Sequence, residues 1–211
     1  VVQVELAILK NECGQPEVAV AILDQVQKIQ RAETSPEHPD CIRASLALAQ
    51  SYIQIGQLHL AEKALRSIED ISPKFLTPDH SYNLKLRVTN AEIKRLKGEH
   101  GNVVVDELRD TIIRLVQVLG KKHPETIYTS VTLAQVYLEQ GLEKQGLELI
   151  QQSIRTLKDF LGESHPRVRE LSKLEAASVA KYRPLNTDKG KENGKISKFL
   201  YRCETNNTLL D

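Results

Sequence analysis

The sequence predicts an all-α fold in which antiparallel helix pairs stack into a solenoid with a period of about 42 residues. Three observations predict it. Gly14, Gly56, Gly98 and Gly141 fall 42, 42 and 43 residues apart, and His38, His80, His123 and His165 fall 42, 43 and 42 apart. Each of His38, His80 and His123 precedes its glycine by 18 residues, so the two marks keep a fixed phase. Between them, apolar residues recur every three or four positions, the helical rather than the strand spacing.

The elements follow in order. Val4, Ala7 and Ile8 belong to a first helix that Gly14 ends, and Pro16, a favoured first helical residue, opens a second carrying Ala19, Ile22, Leu23, Val26 and Ile29. After Pro39, a stripe of Ile42, Leu46, Ala49, Tyr52 and Ile53 runs to Gly56, which can close a helix in the left-handed conformation without steric penalty. Leu58, Ala61, Ala64, Leu65, Ile68 and Ile71 form the antiparallel partner, with Pro73 as a stop. A looser unit places Leu84, Val88, Ala91 and Leu96 before Gly98, and Val104, Leu108, Ile112, Leu115 and Leu119 after it. The next repeats the plan with Ile127, Val131, Ala134, Tyr137 and Leu138, then Gly141, then Leu147, Ile150, Ile154, Leu157 and Leu161. Leu171, Leu174 and Ala177 mark a last helix with no partner, suited to capping the end of the apolar seam.

The expected organisation is a helical repeat domain over residues 1–182, with a half unit at 1–36, units at 37–76, 77–119 and 120–161, and a terminal helix at 164–182. Residues 183–211 read as a flexible linker, rich in Pro, Asn, Asp, Lys and Gly, and a short tail in which Ile196, Phe199, Leu200 and Cys203 suggest an amphipathic turn. With no Met and a start at Val1 inside a helical pattern, the chain is expected to be a piece of a longer protein.

Composition narrows the function classes. Lys and Arg number 29 against 28 Asp and Glu, a net charge of +1, so no global field points to nucleic acid or an anionic membrane. The sequence has no apolar run of the roughly 18–20 residues a bilayer span needs, and no signal peptide pattern. Cys13, Cys41 and Cys203 are odd in number and lack C-x-x-C spacing, which fits a reducing, cytoplasmic setting. The glycosylation sequon at Asn206 carries little meaning in that setting.

Leu48-Ala49-x-x-Tyr52-x-x-x-Gly56, Ala61, Leu65 and Pro73, matched in part by Leu133-Ala134-x-x-Tyr137-x-x-x-Gly141, resemble the tetratricopeptide repeat. The phrases Leu119-Gly120-x-x-His123-Pro124 and Leu161-Gly162-x-x-His165-Pro166 are similar, more narrowly, to the kinesin light chain type of that repeat. The resemblance covers residues 1–182 and implies a right-handed superhelical solenoid whose first helices line a concave groove that holds a peptide or helix of a protein partner. In the second unit, Val103 takes the place where the repeat expects a small residue, and Lys94 that of the tyrosine.

With Ala49, Ala91 and Ala134 as phase markers, the resemblance implies these peptide-binding candidates: Arg43, Gln50 and Gln54, then Lys85, Glu92 and Arg95, then Tyr128, Gln135 and Glu139. Arg and Tyr anchor partners by bidentate bonds or stacking, and Gln bonds to an extended backbone. The four phased histidines do not read as a metal site, because equivalent loops of stacked units stand roughly 10 Å apart, far beyond the roughly 2 Å of coordination. They are expected to fix the starts of the first helices.

No catalytic arrangement appears: there is no G-x-S-x-G, no H-E-x-x-H and no phosphate loop after a strand, and Gly190 to Lys195 has the wrong spacing for one. The sequence therefore predicts a noncatalytic adaptor or scaffold with no cofactor, no nucleic acid partner and no membrane insertion. The alternative is the sensor or oligomerisation arm of a larger signalling nucleotide hydrolase or ubiquitin-ligase adaptor.

Overall fold

A computed structural model of the chain describes residues 2–182 apart from 34, 36, 37 and 100, so the expected linker and tail at 183–211 lie outside the described residues. Every described regular element is helical. The order is α1 (Val2–Glu12), α2 (Pro16–Glu33), α3 (Pro39–Ile55), α4 (Leu58–Glu69), the short α5 (Ser72–Phe75), α6 (Ser81–Leu96), α7 (Asn102–Leu119), α8 (Pro124–Glu139), α9 (Glu143–Leu161) and α10 (Pro166–Tyr182).

The phased residues are the helix boundaries. His38, His80 and His123 sit in extended backbone as the N-caps of α3, α6 and α8, where Nδ1 accepts the backbone N–H of Asp40, Tyr82 and Glu125, each at 3.2 Å. His165 accepts from Arg167 N–H at 3.3 Å at the start of α10. A ring nitrogen thus takes the place of the Ser, Thr, Asp or Asn oxygen that usually satisfies an orphan donor of the first turn. Pro39 and Pro124 follow their caps with φ already helical and no N–H to leave unpaired.

At the other end of α3, Gly56 adopts φ 82°, ψ 9°; its N–H donates to Ile53 O at 3.0 Å, and Gln57 N–H reaches back to Tyr52 O at 2.9 Å. This double return satisfies two terminal carbonyls and reverses the chain within two residues. A Cβ on Gly56 meets nothing within 4 Å, so only the backbone angle demands glycine. Gly56→Val is therefore expected to destabilise by at least about 1 kcal/mol, read as a lowered melting temperature.

Buried positions recur at the repeat interval within each unit. Ala7, Ala49, Ala91 and Ala134 are fully buried on α1, α3, α6 and α8, and Leu23, Leu65, Leu108 and Ile150 are fully buried on α2, α4, α7 and α9. A third recurring buried position holds Ala19, Ala61, Val104 and Gly146. Val104 corrects the expectation for Val103. Val103 is 75% exposed while Val104 is 4% exposed. The physical reason is one inserted residue between Gly98 and Val104: Gly56 to Gly98 spans 42 residues but Ala61 to Val104 spans 43. The helix α7 starts four residues after its glycine, where α4 and α9 start two after theirs.

Two compact units divide the chain, Val1–Glu99 and His100–Asp211. In the first, α1 packs on α2, α2 on α3, α3 on α4 and α4 on α6, while α1, α3 and α6 also touch in sequence. One apolar core joins Ala7, Leu23, Ile42, Ala49, Leu65 and Ile93. Between α1 and α3 lies a buried polar bond, Asn11 Nδ2 donating to Ser51 Oγ at 2.7 Å, while Ser51 Oγ donates to Ala47 O at 2.9 Å. In the second unit α7, α8, α9 and α10 pack in series, and Ile127, Leu157 and Val168 join α8, α9 and α10.

Candidate functional site

All nine sequence candidates stand on first helices. Arg43, Gln50 and Gln54 lie on α3 and Lys85, Glu92 and Arg95 on α6, two helices that touch within the first unit; Tyr128, Gln135 and Glu139 lie on α8 in the second. Gln54 and Glu139 are exposed and the other seven half-buried. That grading follows from the helix period: Ile42 and Ala49 turn into the core, and Arg43 and Gln50, one position on, emerge at its edge.

Arg43 is engaged within the fold. Arg43 Nη2 stands 2.5 Å from Glu5 Oε1, tying α3 to α1. Gln50 and Gln54 are the α3 candidates best placed to bond a partner's backbone without first giving up an ion pair. Leu96, expected from the sequence in the apolar stripe of α6, is instead 42% exposed at its end. It lies 42 residues after Gln54 and 43 before Glu139, whereas Arg95 is one residue off that phase. Strict counting from Gln54 leads to this position.

The repeat tyrosines show how one position can carry opposite charge. Tyr52 and Tyr137 each follow by 28 residues a charged side chain on the preceding second helix, Asp24 on α2 and Arg109 on α7. Arg109 Nε donates to Tyr137 Oη at 2.8 Å, and its guanidinium carbon lies 5.6 Å from the ring centroid. Burial pushes the Tyr137 phenol above its ordinary 10.0, and the bond to Arg109 offsets part of that rise. Burial also raises Tyr52, and there the Asp24 carboxylate adds to the rise.

The fold thus holds the neutral phenol. A raised pKa in the folded state means that this contribution to stability is complete below the unfolded value near 10 and is lost as pH rises through the folded value. Melting temperature is accordingly expected to fall as pH rises past about 10, and Tyr137→Phe to flatten part of that fall relative to the parent protein.

Among the described residues no three His, Cys, Asp or Glu side chains gather closely enough to hold a metal ion. Also among them, no helix is long and apolar enough to cross a membrane. Cys13 and Cys41 are free thiols. Burial, with Asp40 in support, raises the Cys41 thiol, which disfavours the thiolate a nucleophile needs.

Known proteins place this geometry. Residues 1–74 match the tetratricopeptide repeat family. Two solved structures of the nearly identical TPR-like repeats described as kinesin light chain, from Podosopora anserina, match with a TM-score of 0.60 and 23% identity. One of them, a single-substitution variant, covers 97% of this chain and 92% of its own, and the other covers 100% and 96%. At that identity the likeness concerns fold. No curated protein matches the chain. Tetratricopeptide repeats generally mediate protein–protein interaction and are typically noncatalytic scaffolds. Residues 1–74 carry the tetratricopeptide repeat, and the chain has the all-helical fold of kinesin light chain-like repeats of that type.

Proposed function

We propose that the chain is a noncatalytic adaptor or scaffold, acting in the cytoplasm, whose first helices hold a peptide or helix of a partner protein. The observation that carries this reading is the pairing of α3 with α6 in the first unit. Two touching helices, each anchored by a buried column, present Gln50, Gln54, Glu92 and Leu96 at their edge. Rotamer-rich polar side chains on rigid helices supply hydrogen bonds, and because the helices are already ordered the partner's binding is not taxed by folding the receptor.

The test is an affinity capture from cell extract using the chain beside a variant carrying Gln50→Ala, Arg95→Ala and Gln135→Ala, with recovered partners titrated against both. A loss of at least about tenfold in affinity, with helicity and melting unchanged, is expected for a partner held on the first helices. Equal affinity for both proteins moves the binding surface elsewhere.

A further inference from the structure

The turns that lead into the first helices share one hydrogen bond and differ in one side chain. In each, the N–H of the histidine donates to a carbonyl three residues earlier: His38 to Ser35 O at 3.0 Å, His80 to Thr77 O at 2.9 Å, and His123 and His165 to Gly120 O and Gly162 O, both at 3.3 Å. In three of the turns, a side chain three residues after the histidine takes the same carbonyl. Cys41 Sγ donates to Ser35 O at 3.5 Å, Asn83 Nδ2 to Thr77 O at 2.7 Å and Thr126 Oγ1 to Gly120 O at 2.9 Å. The carbonyl therefore does the structural work at this position. Gly120 and Gly162 do it without a side chain, so the turn has no need of the hydroxyls that Ser35 and Thr77 carry.

Both hydroxyl residues are open to solvent. Thr77 is exposed between α5 and α6, outside either helix, and its hydroxyl is in no hydrogen bond among the described residues. Ser35, 42 residues earlier at the same repeat position, is exposed too. Each is followed by a proline, Pro36 or Pro78. A following proline biases the residue before it toward extended backbone and brings no N–H that a binding cleft would have to satisfy. Proline-directed protein kinases select an acceptor with those two properties. The sequence contains one further pair of this kind, Ser72-Pro73, but Ser72 opens α5 and Pro73 lies inside it. The same dipeptide is thus offered in a turn at two places and held in a helix at the third.

We propose that these turns present Thr77 and Ser35 as acceptor sites for a proline-directed protein kinase, and that α5 withholds Ser72. The acceptor Oγ attacks the γ-phosphorus of the ATP that the kinase brings. An Oγ–P bond forms as the bond from that phosphorus to the β,γ-bridging oxygen breaks, ADP leaves, and the hydroxyl proton passes to the kinase's base. On Thr77 the product places up to about two negative charges three residues ahead of the α6 cap, at the positive end of a 16-residue helix. The bonds from His80 and Asn83 go to the Thr77 carbonyl rather than the hydroxyl, so the turn stays closed around the modified side chain. None of the nine first-helix candidates takes part in this site.

The experiment incubates the full chain with ATP, Mg²⁺ and purified cyclin-dependent and mitogen-activated kinases, both proline-directed, and locates phosphate by tandem mass spectrometry over time. Phosphate is expected on Thr77 and Ser35 at least about tenfold faster than on Ser72, which must first leave α5. Thr77→Val keeps the branched shape, removes the acceptor and is expected to lose that phosphate alone. Pro78→Ala is expected to slow transfer to Thr77 at least about tenfold while Ser35 is modified as before. Transfer to Ser72 as fast as to Thr77 overturns the proposal, because the kinase would then be reading the dipeptide without the fold. So does an unmodified Thr77 when both kinases phosphorylate a Thr-Pro peptide in the same tube.

Discussion

Gly146→Val is expected to destabilise the second unit by about 3 kcal/mol, at the upper end of what overpacking a close helix contact costs. A Cβ at Gly146 falls 2.7 Å from Leu138 Cγ, 2.8 Å from Leu138 Cδ2 and 2.9 Å from Ala134 O. The last of these is backbone of α8 and cannot swing aside, and the Leu138 branch point is hardly freer. Valine adds two further methyls to the same gap. Any gain in helix propensity from removing a glycine is about 1 kcal/mol and cannot offset this. Chemical denaturation followed by circular dichroism reads the loss, and a variant as stable as its parent would show that α8 and α9 can separate at little cost.

Leu65→Ala carries the second large effect, about 3 kcal/mol within the roughly 2–5 kcal/mol range for emptying a fully packed leucine site. Leu65 is fully buried on α4, in the core it shares with Ile42, Ala61 and Ile68. Its counterparts Leu23, Leu108 and Ile150 are equally buried, so truncation at each position is expected to cost a similar amount. Total stability of a domain is only about 5–15 kcal/mol, and one such hole removes a large share. Denaturation midpoints measured for the series check it. A cost below about 1 kcal/mol at Leu65 would mean that the site collapses around the missing carbons.

The helix plan was legible because its signals are local. A glycine that must turn left-handed and a histidine followed by proline mark boundaries in the sequence itself, and Ala49, Ala91 and Ala134 announce the buried column by their spacing. What the sequence hid depends on three dimensions. Val103 and Val104 are chemically identical, and only the insertion in the preceding turn decides which of them enters the core. Pro73 reads as a stop, but α4 already ends at Glu69 and Pro73 lies inside the short α5. In the site, Arg43 looks like any surface arginine until Glu5, 38 positions earlier in the chain, is placed against it. Leu96 keeps the spacing of the α6 stripe, and only its place at the last residue of the helix leaves it 42% exposed.

The capping histidines have a spectroscopic consequence. A ring whose Nδ1 accepts a backbone N–H carries its own proton on Nε2, so His38, His80, His123 and His165 are each fixed as one tautomer. His59, exposed within α4, is not placed as a cap. Nitrogen-15 spectra of the imidazoles should thus set the four capping rings apart from that of His59. As the protein is heated, each locked signal collapses when its own helix start opens, and the order of collapse reads out the sequence in which the array comes apart.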